Sequence, residues 1–261
     1  KYFQMNEKLL SKKLTKKTKA IIVTHLYGNP CEMTHICKFA KKNNLFIIED
    51  IAQAHLAKYK NKIVGNFGDI GCMSFYPSKN LGSIGDGGAI ITNSKKMIFK
   101  CTQIANYGST NFKDKDHKVV GYNSRMDEVQ AAFLNLKIKS LKKNNDLRKD
   151  LAKVYNKKCD TMGIKRILER PNSENVYHLY PIIVKKRNLL LKKLKEKNIE
   201  TQIHYEIPIH LQKVYKKFKN SNLKVTNDIS KKILSLPFYP GITKNQIEYL
   251  FKVIGRNKKL I

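Results

Sequence analysis

Short apolar runs alternate with helix-period stretches along the first half of the chain. "AIIVTHL" (20–26), "LFIIED" (45–50), "CMSF" (72–75) and "GAIIT" (88–92) are too short for helices, and their apolar residues are mostly consecutive. Such runs predict strands buried on both faces of an α/β sheet. Helical patterns fall near 31–43 and 94–105, and a long helical stretch follows with apolar residues at Met126, Val129, Phe133, Leu136 and Leu141. Beyond it the order changes. "HLYPIIV" (178–184) and "ETQIHY" (200–205) predict strands, and helices are predicted near 187–197, 210–218 and 243–254, together a smaller α/β unit. The expected boundaries are 1–140 for the first domain and 141–261 for a linking helix with the second.

Composition narrows the class. With 261 residues, 41% of them hydrophobic, the chain has material for one large or two modest domains with a sizeable core. No run approaches the length of a membrane helix and "KYFQMNEKLLSKK" has no apolar signal core, so the reading is a cytoplasmic protein with no membrane partner. Lys1 is not an initiator methionine, and the chain is expected to begin inside a longer protein. Five cysteines without a CxxC pair predict reduced thiols. His204 and His210 stand too far apart to be two metal ligands on one helical turn, so no metal is expected.

The formal charge of +32 attracts polyanions. It is smeared over lysine-rich helices such as "LKIKSLKKNNDLRKDLAKVYNKK", with no zinc-finger or RNP signature, and reads as a solvated surface without a specific nucleic-acid partner.

Against that background one lysine stands apart. From Met73 to Asn93, "MSFYPSKNLGSIGDGGAIITN" holds a single basic residue, Lys79, although Lys and Arg make up 52 of the 261 positions. A mostly buried segment that keeps one cation is a candidate site, with chance spacing beside a glycine turn as the alternative. Asp50 ends the run "LFIIED", where open α/β sheets bind ligands beyond the carboxyl ends of their strands; a carboxylate there also serves to cap the next turn. One amine and one acid suit pyridoxal 5′-phosphate, whose aldehyde needs a lysine and whose ring nitrogen needs a carboxylate to keep its proton. "GSIGDGG" fits no phosphate-loop NTPase, because the lysine precedes the glycines, and no GxGxxG opens a helix after a strand.

In order along the chain, "VTHLYGNPCEM", "IIEDIAQAH", "GDIGCMSFYPSKNLGSIGDGGAIITN", "ANYGST", "GYNSRMDEVQAAFL", "YHLYPI", "IETQIHYEIPIHLQKVY" and "LSLPFYPGIT" resemble the DegT/DnrJ/EryC1/StrS aminotransferases, which make amino sugars on nucleotide carriers. The resemblance implies the PLP-dependent transferase fold of type I, the aspartate-aminotransferase-like α/β architecture. Residues 1–140 would be the C-terminal part of the large PLP-binding domain, its sheet incomplete at the N-terminus, and 141–261 the linking helix and small domain. It implies that Lys79 is the Schiff-base lysine, Asp50 the pyridinium partner, Gln53 the side chain beside the cofactor ring, and Ser74 the phosphate-binding serine. Asn123 would reach the cofactor phosphate of the other subunit in a homodimer with shared active sites. Leu56 departs from the glycine the family commonly has there.

The implied activity is transamination of a nucleotide-linked keto-deoxysugar with L-glutamate as donor. "SFYPSKNLGSIGDGG" and "IHYEIPIHLQ" favour amination at C-3 of a dTDP-3-keto-6-deoxyhexose, with His204, Tyr205 and His210 as sugar-side residues. The alternatives are a C-4 enzyme acting on a UDP- or dTDP-4-keto sugar, and a truncated homologue without catalysis.

Overall fold

The computed structural model describes residues 1–110, 116–218 and 223–261. In chain order its main elements are β1 (Ala20–Thr24), α1 (Met33–Lys42), β2 (Phe46–Asp50), β3 (Lys58–Tyr59), β4 (Lys62–Ile63), β5 (Ile70–Ser74), β6 (Gly88–Ile91), α2 (Lys95–Ala105), α3 (Glu128–Met162), β7 (Lys165–Arg166), β8 (Ser173–Glu174), β9 (Tyr180–Ile183), α4 (Arg187–Lys195), α5 (Lys224–Ser230), β10 (Ile233–Leu236) and α6 (Lys244–Arg256). They form two compact units. One comprises Tyr2–Asp146 with Glu169–His178, and the other Leu147–Leu168 with Leu179–Ile261 and Lys1.

The first unit is built on a four-stranded sheet in the order β1-β2-β5-β6, parallel except for β6. α1 carries the β1-to-β2 crossover. It starts where the Glu32 side chain accepts from the His35 amide (2.6 Å), and it buries Met33, Ile36 and Ala40, one stripe at helical spacing. That stripe meets Ile21, Val23, Ile47 and Ile51 in a hydrophobic core. Alternation along the strands puts Thr24, Asp50, Cys72 and Ser74 on the opposite face, with Thr24 paired to Asp50 and Asp50 to Cys72 in register. A ribbon of β4, β3 and β8 completes the unit.

The two faces differ from the expectation of a doubly buried sheet. Ile22, Phe46 and Ile90 on the second face are exposed, because among the described residues no element packs over them. Consecutive apolar residues record that both faces are apolar, which is a weaker statement than that both are covered.

α3 also departs from its simple stripe. Leu134 and Leu141, seven residues apart, are buried with Phe75 and Leu81, whereas Val129 and Leu136, another heptad pair, are exposed. At about 100° per residue the two pairs lie about 140° apart on the helix, so only one of them faces the sheet.

In the second unit, β7, β9 and β10 form an antiparallel sheet in the order β10-β9-β7. Its core centres on the ring of Tyr155, which packs edge-on against Tyr180, Phe238 and Phe251 at centroid distances of 4.9, 5.3 and 5.2 Å. The Tyr155 hydroxyl donates to the Pro237 carbonyl (2.7 Å). The strand predicted at 200–205 does not form. Gln202 alone bridges to Ser235, and Tyr205 turns the chain out of extended geometry with φ +62°. The helix predicted near 210–218 is a pair of short 3-10 segments, Ile209–Leu211 and Lys213–Phe218. β10, all four of whose residues are buried, is a strand that the sequence pattern does not predict.

Candidate active site

Two neighbouring carboxylates end β2 and point to opposite faces. Glu49 is fully buried and accepts from His25 Nε2 (3.1 Å) and from the amides of Gly65 (2.8 Å), Phe67 (2.7 Å) and Gly68 (2.7 Å). Burial pushes its carboxyl up, but the His25 hydrogen bond and the backbone amides outweigh that and hold it below the ordinary value. His25 Nδ1 accepts from the Cys31 amide (3.0 Å), which leaves its proton on Nε2, facing Glu49. Asp50 lies on the open face and accepts from the Thr24 hydroxyl (3.3 Å) and the Ala52 amide (3.1 Å).

Lys79 stands on a tight turn beyond the end of β5. The Lys79 amide donates to the Tyr76 carbonyl (2.9 Å) and the Ser83 amide to the Phe75 carbonyl (2.7 Å). Gly82 passes so close to Pro77 that any Cβ there would overlap its carbonyl. Gln130 on α3 clamps the glycine-rich segment that follows. Its Oε1 accepts from Ser83 Oγ (2.5 Å) and the Gly85 amide (3.2 Å), and its Nε2 donates to the Asp86 carbonyl (2.8 Å). Burial lowers the Lys79 ammonium below its ordinary value, and the Asp50 charge pulls it part of the way back. The two side chains are thus within electrostatic range, at the carboxyl end of the parallel strands.

The other residues singled out in the sequence divide by unit. Gln53 is buried beside this site, its Oε1 accepting from the Tyr27 amide (2.6 Å). Ser74 ends β5; its Oγ accepts from the Tyr76 amide (3.3 Å), leaving its proton to donate. Asn123 is exposed, in a segment bound to the end of α2 by an Asn106–Asn123 bridge and a Ser124 amide bond to the Ala105 carbonyl (2.9 Å). His204, Tyr205 and His210 belong to the other unit. His204 Nδ1 pairs with Ser235 Oγ (2.9 Å), Tyr205 is exposed, and His210 is buried with no partner for Nε2 among the described residues.

Three further polar residues of the motifs that carry the family resemblance lie close to this site. His55 is buried, its Nδ1 accepting from the Leu81 amide (3.3 Å). Burial, then the Lys79 charge, lower its imidazole to about 4, so it is neutral beside Lys79. Asn80 and His178 are hydrogen-bonded to each other (3.2 Å). Their signal was a polar residue inside "YPSKN" or "YHLYPI", indistinguishable there from a surface position. Leu56, the departure noted above, takes φ +64°, the left-handed region that favours glycine.

A half-buried amine, a carboxylate on the same side of a sheet end, a hydroxyl able to donate and a glycine-rich return are the groups that a site of the pyridoxal-phosphate transferase class would need. Residues 1–255 match the DegT/DnrJ/EryC1/StrS aminotransferase family, and the chain belongs to it. It is 40% identical over 247 residues to the dTDP-3-amino-3,6-dideoxy-alpha-D-galactopyranose transaminase of Aneurinibacillus thermoaerophilus, covering 95% of this chain and 68% of that one. The fold matches S. venezuelae DesV in complex with a ketimine intermediate (TM-score 0.93, 32% identity, 99% of this chain and 70% of that chain). It also matches NtdA of Bacillus subtilis with bound cofactor PMP (TM-score 0.89, 31% identity, 99% and 60%). The architecture is therefore the type I fold of PLP-dependent transferases. The chain spans about two thirds of the length of the curated relatives it matches.

Pyridoxal 5′-phosphate is the cofactor of this family. The donor set fits it: Lys79 has an amine made easier to deprotonate, Asp50 a carboxylate with acceptor capacity left, and Ser74 a hydroxyl that can still donate. Among the described residues no helix is long and apolar enough to cross a membrane.

Proposed function

We propose that the protein is an aminotransferase that converts a nucleotide-linked keto-deoxysugar, of the dTDP-3-keto-6-deoxyhexose type, to its amino sugar with L-glutamate as amino donor. The observation that carries the reading is that Lys79, on the turn beyond β5, and Asp50, at the end of β2, stand within electrostatic range of each other at the carboxyl end of the parallel strands. When bound, pyridoxal phosphate supplies an electron sink for the carbon that loses its proton. Lys79 would hold the cofactor, and its Nζ, once free and neutral, would take the proton from that carbon and return it on the other side of the exchange. The Asp50 carboxylate keeps a proton on the cofactor ring nitrogen. Gln53 would lie beside the ring, and the Ser74 hydroxyl would donate to the phosphate.

In this reading residues 1–140 bind the cofactor, and His204, Tyr205 and His210 in 141–261 meet the sugar. The left-handed backbone at Tyr205 supports that role, since strain in a non-glycine residue collects at ligand sites. The working unit is a homodimer in which Asn123 reaches the partner's cofactor phosphate. Support for an interface comes from Tyr76, Val120, Tyr122 and Val129, all exposed in the single chain. The C-3 preference is supported by the 3-amino product in the name of the Aneurinibacillus relative.

The test has two parts. Borohydride reduction of the whole protein with pyridoxal phosphate should fix the label on the Lys79 peptide; label on another lysine refutes the assignment. Turnover with L-glutamate should give nitrogen at C-3 of the sugar by NMR. Nitrogen at C-4 replaces the substrate reading with a 4-keto sugar, and label without turnover of either substrate removes it.

A further inference from the structure

Lys79 has four rotatable bonds, so the position of its amine depends on how firmly its backbone is held. Tyr76, Pro77 and Ser78 before it are exposed and give little support. The residue after it does. Asn80 uses every polar atom of its side chain: Nδ2 donates to Asn145 Oδ1 (2.9 Å) and to the Val176 carbonyl (3.0 Å), and Oδ1 pairs with His178 Nδ1 (3.2 Å). Because Nδ2 must face the Val176 carbonyl, Oδ1 faces His178, and the imidazole carries a proton on Nδ1. Asn145 and His178 are both buried, 3% and 6% exposed.

The bonds close a ring. Asn145 Nδ2 donates to the His55 carbonyl (2.9 Å), and His55 Nδ1 accepts from the amide of Leu81, the neighbour of Asn80 (3.3 Å). The turn that carries Lys79 is therefore tied to α3, to the segment at 176–178 and to the stretch that follows Asp50. We infer that Asn80, held by Asn145 and His178, is a positioning residue that fixes the Lys79 turn against the strand end bearing Asp50. The directed hydrogen bonds among Asn80, Asn145 and His178 specify one arrangement, where an apolar contact of the same size would tolerate several; His55 Nε2, at the edge of the ring, has no partner among the described residues. The inference rests on the reading of Lys79 as the cofactor lysine and adds the device that places it.

The experiment measures Lys79 directly. In the whole protein without cofactor, amines are acetylated at a series of pH values and the Lys79 peptide is quantified by mass spectrometry. The lysine should titrate below the exposed lysines. Asn80→Ala should let the amine reach water, and its midpoint should rise toward those of the exposed lysines, because the burial that lowers it is relaxed. Borohydride-fixed pyridoxal phosphate on Lys79 at limiting cofactor should fall about tenfold or more, the scale on which small displacements of a reacting group act. His178→Ala should repeat both effects, and His178→Asn, whose amide can stand where Nδ1–H stood, should restore them. The double variant Asn80→Ala/His178→Ala should be no worse than Asn80→Ala, since both break one unit.

A folded Asn80→Ala protein with an unchanged Lys79 midpoint and unchanged labelling overturns the inference, as do fully additive effects. Should Asn80→Ala fail to fold, the two His178 variants decide. Pyridoxal phosphate fixed on a different lysine in the unaltered protein overturns the reading of Lys79, while the cofactor-free titration still decides whether Asn80 positions it.

Discussion

Glu49 and Asp50 are the same functional group one residue apart, and the sheet gives them opposite work. Glu49 faces the covered side, where His25 and three amides meet both of its oxygens, and nothing of its acceptor strength is left for a ligand. Asp50 faces the open side with two donors and one distant cation. A carboxylate surrounded by fixed donors is a structural pin, because its desolvation is offset by the bonds it makes. One left short of donors at a strand end is available to a ligand. The difference in role comes from strand alternation alone, since both residues are acidic and both end the same apolar run.

The largest effects should separate the two. Asp50→Asn is expected to lower turnover about a hundredfold or more, the cost of removing a preorganised charge, while leaving the thermal midpoint almost unchanged. Glu49→Gln should do the reverse. It leaves two of the four donors facing an amide nitrogen, whichever oxygen is replaced, which costs about 3 kcal/mol of stability or more, and the protein that remains folded should keep normal turnover. Denaturant melts and kinetics on both variants check this. If Glu49→Gln impairs turnover in fully folded protein as much as Asp50→Asn does, the division between pin and site is wrong.

How much of this was legible in the sequence follows from the range of each interaction. Lys79 stood out through a contrast of composition, and Asp50 through its place at the end of "LFIIED"; both signals are local. α1 could be read from Met33, Ile36 and Ala40 because helical period is local as well. The Asn80 cluster could not, since its partners lie 65, 96 and 98 residues away in the chain. Residues 200–205 misled because alternation in "ETQIHY" imitates a strand, while Tyr205 breaks the geometry with a φ that no periodicity reveals. The strand at Ile233–Leu236 went unread because four residues beside two lysines carry too little pattern to separate strand from loop.

A pH series sharpens the contrast between the two sides of the sheet end. Burial and the neighbouring Lys79 charge keep His55 neutral in the folded chain down to about pH 4, against an ordinary value of 6.5. Between those values the unfolded chain binds a proton that the folded chain does not. Stability from this group is therefore complete above pH 6.5 and lost as the pH falls toward 4, by up to about 3 kcal/mol. Glu49, held below its ordinary 4.5, gives up its contribution only under that value, so the two windows separate. His55→Asn, whose oxygen can accept from the Leu81 amide as Nδ1 does, should flatten the curve of thermal midpoint between pH 6.5 and 4 and leave the lower limb in place. An unchanged curve removes His55 as its cause.

The smallest expected effect lies in the stretch that leaves Asp50. "DIAQAHL" carries Asp50, Gln53 and His55 within six residues and then turns at Leu56, whose φ of +64° brings Cβ against its own backbone. For a non-glycine residue that conformation costs about 1 to 2 kcal/mol. Glycine removes the cost but gives up part of it to the entropy of the unfolded chain, about 0.5 to 1 kcal/mol. Leu56 is 38% exposed, so its side chain returns only part of what full burial would give. Leu56→Gly should therefore stabilise the protein slightly, by no more than about 1 kcal/mol, or about 2 °C in thermal midpoint for a chain of this size. The Lys79 titration should not move, because the backbone already holds the shape that glycine prefers. A loss of stability on Leu56→Gly would mean that the exposed leucine makes contacts worth more than its strain, and that the turn after Asp50 is held by its side chain instead of its backbone.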